Sequence, residues 1–441
     1  MTSAVPDSRF EAHLAEMMRR ADRALEAGRC EALAVAAGFP PLQYRDDQHY
    51  PHKAAAHFLS FVPLTDAPGS LVLHRPGRRP QLLFYAPADY WHATPSLPDA
   101  PWVAAFDVTL LQRPAEAAAL LPAHTAFVGP CPDWLAGVDT ARANPEPVLA
   151  SLDFARANKT PYEIDCLARA SALAVAGHAA ARAAWLEGHS EYAIHLAYVA
   201  ATGHEDAELP YHNIIALNEA ASVLHYTVRR RAAPRERLSF LIDAGAQYRG
   251  YAADVTRTYA GAPGPFADLV AALSALEQDL CSLVTPGRPY PAIHAAAHDG
   301  IARILVGAGL VRCSAESAVE GGLTQVFFPH GIGHLLGLQV HDVGGWMADA
   351  SGRLCPRPQA HPYLRLGRTL EEGTVVTIEP GLYFIPLLLD AARSSPLGRD
   401  VVWERVDDLV RYGGIRIEDN VVARASGPQN LTRAAESAVH H

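Results

Sequence analysis

The sequence predicts a mixed α/β (α+β) protein of two domains, and three observations carry that reading. Its 441 residues exceed what one hydrophobic core usually organises. Short apolar runs at 31–36, 71–74, 81–85, 104–111 and 125–128, with helical stretches among them, read as the strands of an α/β amino-terminal domain. Farther along, helical stretches at 161–187, 190–202, 265–283 and 291–308 alternate with β-rich segments at 213–227, 238–259, 374–384 and 414–424.

The elements follow in order. Apolar residues recur at helical spacing over 9–27, so the chain opens on a helix. Arg75-Pro-Gly-Arg-Arg-Pro80 is a turn by its proline and glycine content. The pattern breaks around 144–151, and Thr160-Pro161-Tyr162-Glu163 then reads as a capping box that starts a long helix. These signals put the boundary near residue 155, with domains over 1–155 and 156–441. The polar segment after Asn430 is expected to fray, and His440 and His441 have no partner set.

Composition narrows the function classes. A net charge of -10 argues against a nucleic-acid platform, which needs a basic face. The six cysteines are scattered without a Cys-x-x-Cys, which suggests neither a zinc ribbon nor a disulfide framework and fits a reducing cytoplasm. No run approaches the roughly 20 apolar residues of a membrane span, and no export signal is evident.

The chemistry concentrates in the second domain. Leu241-Ile-Asp243-Ala-Gly-Ala-Gln-Tyr-Arg-Gly250-Tyr-Ala-Ala-Asp254 reads as two strands around a turn, each carrying a carboxylate. With the turn centred on Tyr248 and Arg249, Asp243 and Asp254 are expected to be direct cross-strand partners. Like charges so placed repel, and a cation would hold them together. Further ligand types stand in His330-Gly-Ile-Gly-His334, in Glu379-Pro-Gly381 and in Ile415-Arg416-Ile-Glu418-Asp419. Strand alternation in the last puts Arg416 and Glu418 on one face. Four carboxylates and an imidazole suit a pair of hard or borderline divalent ions. Two such ions about 3.5–4 Å apart are a known device for hydrolysis.

These motifs, taken together with Pro210-Tyr211-His-Asn-Ile, Ala221-Ser-Val-Leu-His225-Tyr, Leu338-Gln-Val-His341-Asp-Val-Gly344 and Asp46-Asp47-Gln-His-Tyr-Pro51, resemble the pita-bread metallopeptidases. The similarity extends over nearly the whole chain and is strongest to the bacterial Xaa-Pro dipeptidases. It implies a pseudo-symmetric carboxy-terminal domain holding two metal ions, usually Mn2+, with Zn2+ or Co2+ also accepted. It also implies a homodimer whose amino-terminal domain serves dimerisation and substrate gating. The family's ligand roles fall on Asp243, Asp254, His334, Glu379 and Glu418.

The implied reaction is attack of a bridging hydroxide on the Xaa-Pro bond of a small dipeptide. Glu379 would shuttle the proton, and His225 and His341 would support the intermediate. His330 would face substrate, and Arg365 or Arg416 would hold the proline carboxylate in a fork. Tyr211 would line the pocket, and Asp46 or Asp47 of the partner subunit would meet the amino end. Related enzymes also cleave some organophosphorus esters, so that side activity is carried as an expectation. The alternatives are aminopeptidase P-like cleavage of longer peptides and a metal-free binding module. His294 and His298 have the i, i+4 spacing of a helical metal pair. They lack the glutamate of His-Glu-x-x-His, so they are assigned to helix-surface or packing roles.

Overall fold

The structure is a computed structural model that describes residues 7–138 and 142–439; His440 and His441 lie outside them. It divides into two compact units. The first comprises Met1–Cys166 with Tyr248–Tyr251 and Met347–Leu354, and the second comprises Leu167–Gln247, Ala252–Trp346 and Cys355–His441.

The first unit holds α1 (Asp7–Gly28), β1 (Ala32–Ala36), α2 (Ala56–Phe61), β2 (Leu71–His74), β3 (Gln81–Tyr85), β4 (Asp107–Leu111), β5 (Thr125–Val128), β6 (Arg142–Ala143) and α3 (Glu146–Arg156). Its mixed sheet runs β4-β3-β2-β1-β5-β6. The hairpin joins β2–β3 and β1–β2 are antiparallel, whereas β1–β5 and β3–β4 are parallel. Leu73, Leu83 and Phe127 fill the core on one side of the sheet. Two local expectations are corrected. Residues 104 and 105 belong to a 3-10 turn rather than to β4. The segment 144–151 is not a break, because Pro145 and Pro147 suit the first turn of α3, where an N–H would go unpaired anyway.

The expected capping box is formed. Thr160 Oγ1 accepts the Glu163 N–H at 3.4 Å, and Glu163 Oε2 accepts the Thr160 N–H at 2.9 Å. This opens α4 (Pro161–Leu186), followed by α5 (Glu191–Thr202), which is capped by Ser190 and closed by left-handed Gly203.

The strands of the second unit that matter for the site come in two groups. The first is β7 (Ile214–Leu217), β8 (Ser239–Asp243), β9 (Gln247–Tyr248), β10 (Tyr251–Ala252) and β11 (Thr256–Ala260), of which β11-β8-β7 form an antiparallel sheet. Helices α6 (Pro265–Cys281), α7 (Tyr290–Gly307), α8 (Ala315–Glu320) and α9 (Thr324–Phe327) follow. The second group is β12 (Val375–Ile378), β13 (Gly381–Tyr383), β14 (Gly414–Arg416), β15 (Asp419–Val422) and β16 (Gln429–Asn430), with α10 (Pro386–Arg393) and α11 (Trp403–Val410) inserted before β14.

Strand β7 stops earlier than expected because Asn218 turns left-handed (φ 57°), and its side chain then accepts the N–H groups of Leu238 and Ser239. The tail does not fray. It forms α12 (Leu431–Val439), anchored by buried Leu431 and Thr432 and by Arg433, which reaches Asp419 and Glu277 at 2.7 and 2.8 Å. No helix among the described residues is long and apolar enough to cross a membrane, and the six cysteines are unpaired.

Candidate active site

The site grows from the β8–β11 hairpin. Arg249 and Gly250 take φ of 53° and 86°, the two left-handed residues of a tight hairpin turn. The turn is therefore one residue later than the sequence reading placed it. Asp243 pairs with Thr256 rather than with Asp254. Asp254 lies in the gap between β10 and β11, two residues before Thr256, and reaches the side of Asp243 through their shared partner Tyr211. Tyr211 Oη lies 2.8 Å from Asp243 Oδ1 and 2.6 Å from Asp254 Oδ1. One hydroxyl proton cannot serve both carboxylates at once, so one of the two contacts brings oxygens together without a hydrogen between them.

The glycine-rich loop supplies the imidazole. Leu336 N–H bonds Val375 O and Thr377 N–H bonds His334 O, which lays the loop along β12. A Cβ on Gly333 (φ 148°) would stand 2.3 Å from Thr377 O and 2.4 Å from Tyr290 Oη, so only glycine fits. His334 Nδ1 donates to Leu335 O at 3.0 Å. That bond turns Nε2 toward the carboxylates, 3.4 Å from Asp254 Oδ2 and 3.8 Å from Glu379 Oε1. Burial works to lower the ring's pKa, but the hydrogen bond and charge of Asp254 and the charge of Glu379 raise it above the ordinary value.

Glu379 occupies the break between β12 and β13, and its N–H is held by Ile332 O at 2.9 Å. Glu418 was expected within one continuous strand, but β14 ends at Arg416 and β15 begins at Asp419. Its N–H bonds Thr256 O, and its Oε2 accepts from Thr256 Oγ1 at 2.7 Å. Arg416 Nε also reaches Thr256 Oγ1, at 3.3 Å, so both side chains do meet on one face. Asp254, His334 and Glu418 offer ligand atoms within 4.8 Å of one another, all buried.

Electrostatics fits the donor set to a cation. Burial pushes the Glu418 carboxyl well above the usual range, with Asp254 and Glu379 adding repulsion. Burial likewise raises Glu379, to about 7, and raises Asp243 despite Arg416. Burial also works against Asp254, yet the hydrogen bond and charge of His334 hold it below the ordinary range. Four carboxylates, three of them buried, share the site with the one guanidinium of Arg416 and carry excess negative charge, which a divalent ion bound by oxygen and one nitrogen would offset.

The remaining expected residues fall into three groups. Arg416 is buried and its guanidinium is occupied by Asp243 (2.6 Å), Tyr383 Oη (2.9 Å) and Thr256. Its donors are turned to protein, not to an incoming carboxylate. His330 is similarly committed, with Nδ1 donating to Gly331 O and Nε2 accepting from Tyr383 Oη, both at 2.8 Å. His225, His341 and Arg365 are exposed. The His341 ring stands 4.4 Å from that of His334. Although part of the residue is open to solvent, desolvation of its ring, then the charges of His334 and Arg365, pushes the pKa down to about 4, so it is neutral at pH 7. Asp46 and Asp47 belong to the first unit, on an exposed loop where Asp46 Oδ1 accepts the Asp47 and Gln48 N–H groups.

Two participants escaped the sequence reading. Thr256 lies two residues beyond Asp254, so alternation could have found it. Tyr383, which joins His330 to Arg416, has no sequence signal of its own.

Comparison with known proteins completes the picture. Residues 165–425 match metallopeptidase family M24, and residues 8–154 match the Xaa-Pro dipeptidase N-terminal domain. The chain is 46% identical over 439 residues to an Xaa-Pro dipeptidase of Stenotrophomonas maltophilia (strain K279a), spanning 99% of each. It is 46% identical over 430 residues to one of Xanthomonas euvesicatoria, spanning 97% of each. Among solved structures it resembles zinc-substituted Escherichia coli aminopeptidase P in complex with product. The TM-score there is 0.74 at 21% identity, over 98% of this chain and 96% of that one. Pseudomonas aeruginosa aminopeptidase PepP gives 0.73 at 20% identity, over 98% and 96%. At these identities the structural likeness is one of fold.

Proposed function

We infer that this chain, which belongs to metallopeptidase family M24, hydrolyses the Xaa-Pro bond of dipeptides and releases proline. The full-length relatives named Xaa-Pro dipeptidase support the substrate class. The observation that carries the reading is the set Asp243, Asp254, His334, Glu379 and Glu418, all but Glu379 buried, with exposed Arg365 close enough to influence His341.

These five residues would hold two divalent ions, Mn2+ first. When bound, the ions supply an activated water and an electrophile for the scissile carbonyl oxygen. Glu379 takes the proton of the attacking water and delivers it to the proline nitrogen. His341, neutral at pH 7, donates an N–H to the developing oxyanion, with His225 as its companion.

Arg365 is the better fork for the proline carboxylate, because among the described residues no ion pair engages it and Arg416 is already filled. Arg416 and Tyr211 position the carboxylates, and His330 with Tyr383 holds Arg416. The active protein is proposed to be a cytoplasmic homodimer. Domain 1–155 would serve dimerisation and gating, and Asp46 or Asp47 of the partner subunit would meet the substrate amine. A side activity on organophosphorus esters belongs to the same reading, since an activated water does not require a peptide as its electrophile.

Kinetics on Ala-Pro and Leu-Pro against the corresponding tripeptides, with metal quantitation on the same preparation, tests this reading. Dipeptide preference and bound metal are expected. Preference for tripeptides would transfer the assignment to an aminopeptidase P-like enzyme, and a metal-free, inactive protein purified without chelators would leave a binding module.

A further inference from the structure

A second cluster of metal-type side chains lies apart from the carboxylates. His294 and His298, one turn apart on α7, are 2% and 3% exposed, so of the helix-surface and packing roles expected for them it is packing that the burial matches. His361 comes from a distant loop and closes a triangle with them. Its ring centroid stands 4.4 Å from that of His294 and 4.8 Å from that of His298. Each imidazole offers a nitrogen within 4.8 Å of the others.

Three details make this more than packing. His298 Nε2 and His294 Nε2 are 3.3 Å apart. Two nitrogens on one tetrahedral ion at about 2.0–2.1 Å stand about 3.3–3.4 Å apart, so the pair already has ligand spacing. Thr324 Oγ1 lies 2.9 Å from His298 Nδ1. As acceptor it fixes the tautomer that leaves Nε2 as a lone pair, the usual outer support of a metal-bound imidazole. His294 Nδ1 is buried without a hydrogen-bond partner, so nothing else in the protein claims that ring.

All three rings line a cavity of about 440 Å³, whose wall also includes Gln325, Tyr363 and Leu388. Phe328 packs against His294, His298 and His330, and His330 lines the same cavity. We propose that His294, His298 and His361 bind one borderline divalent ion, with zinc the type, leaving an open coordination position toward this cavity. An all-imidazole donor set selects zinc-like ions over the Mn2+ suited to carboxylates. Three histidines with a free fourth position are the pattern of an accessible rather than a purely structural site. Burial also keeps the rings in the neutral, ligating form, with His298 pushed down to about 4.

The test is zinc titration of the full-length protein after chelator treatment, read by competition with a chromophoric chelator and by metal quantitation. The parent should bind one zinc per chain more than His361→Ala, a half-buried position whose change leaves the helix intact. His298→Gln should lose the same equivalent, and His361→Ala should keep peptidase turnover. Because a difference of one ion is read, failure of the dinuclear reading would change the parent's total and not this difference. Equal zinc binding by parent and His361→Ala overturns the proposal. So does an anomalous-scattering map of zinc-saturated crystals that puts no ion among the three rings.

Discussion

The carboxylate centre around Asp254 and the imidazole triad of His294, His298 and His361 share one unit and are similarly buried, yet their charge plans are opposite. The first confines like charges and is satisfied only by a cation. The second is built from groups that burial keeps neutral, so it tolerates being metal-free. Metal removal should therefore disturb the molecule at one centre and leave the other nearly as it was. The comparison also separates catalytic need from binding capacity: the acidic centre includes Glu379, the proposed proton carrier, and the triad has no counterpart.

The largest effect expected from this contrast is on turnover. Glu379→Gln keeps the shape and removes the proton shuttle, so kcat should fall by about 10²–10⁴-fold. His361→Ala, at the other centre, should leave kcat within about twofold, since no proton step is assigned there. Steady-state kinetics with saturating Mn2+ checks both. Equal losses in the two variants would abolish the distinction.

Next in size is Arg365→Ala. Loss of a charge-assisted fork, worth about 1.5–3 kcal/mol, should raise KM for Leu-Pro by roughly 10–100-fold. The same change should barely affect a tripeptide, whose carboxylate lies farther away. A KM that rises equally for both would assign Arg365 to general electrostatics.

How much of this contrast was legible in the sequence depends on where each group stands. The acidic centre announced itself because its ligands sit in turn-bounded or glycine-rich motifs, and the structure does gather Asp254, His334 and Glu418 within one cluster. The hairpin register slipped by one residue because Tyr248-Arg249 was taken as the turn. Gly250 was the better guide, since a tight hairpin favours glycine as its second left-handed residue. Alternation placed Arg416 beside Glu418, but it could not show that Asp243, Tyr383 and Thr256 would fill the guanidinium. The triad was half visible in the i, i+4 pair on α7. His361 completes it from a loop remote in sequence, and only tertiary structure brings it there. The α12 tail was misread for a related reason: Arg433 draws its partners Asp419 and Glu277 from elsewhere in the chain.

A smaller effect sharpens the electrostatic half of the comparison. In metal-free protein Glu418→Gln removes a carboxyl whose pKa burial and its acidic neighbours raise, and keeps an oxygen to accept the Thr256 hydroxyl. Relief of the cost of burying that group should stabilise the chelated protein by roughly 1–3 kcal/mol near neutral pH, while the metal-loaded variant should be less stable than the metal-loaded parent. Thermal melts with and without chelator read the crossover. A variant less stable in both states would mean that the carboxylates do not strain the metal-free fold.

The smallest expected effect belongs to Thr324→Val, which is nearly isosteric and removes only the hydroxyl that orients His298. If that hydroxyl fixes the tautomer, zinc should bind the triad about tenfold more weakly, the low end for an outer-shell change. Turnover and the response to chelator should stay as in the parent, because Thr324 touches none of the carboxylates. Zinc competition against a chromophoric chelator resolves such a change. An unaltered affinity would mean that ring packing against Phe328 alone sets the imidazole geometry, and the triad would then owe its ligand spacing to the helix and not to its polar support.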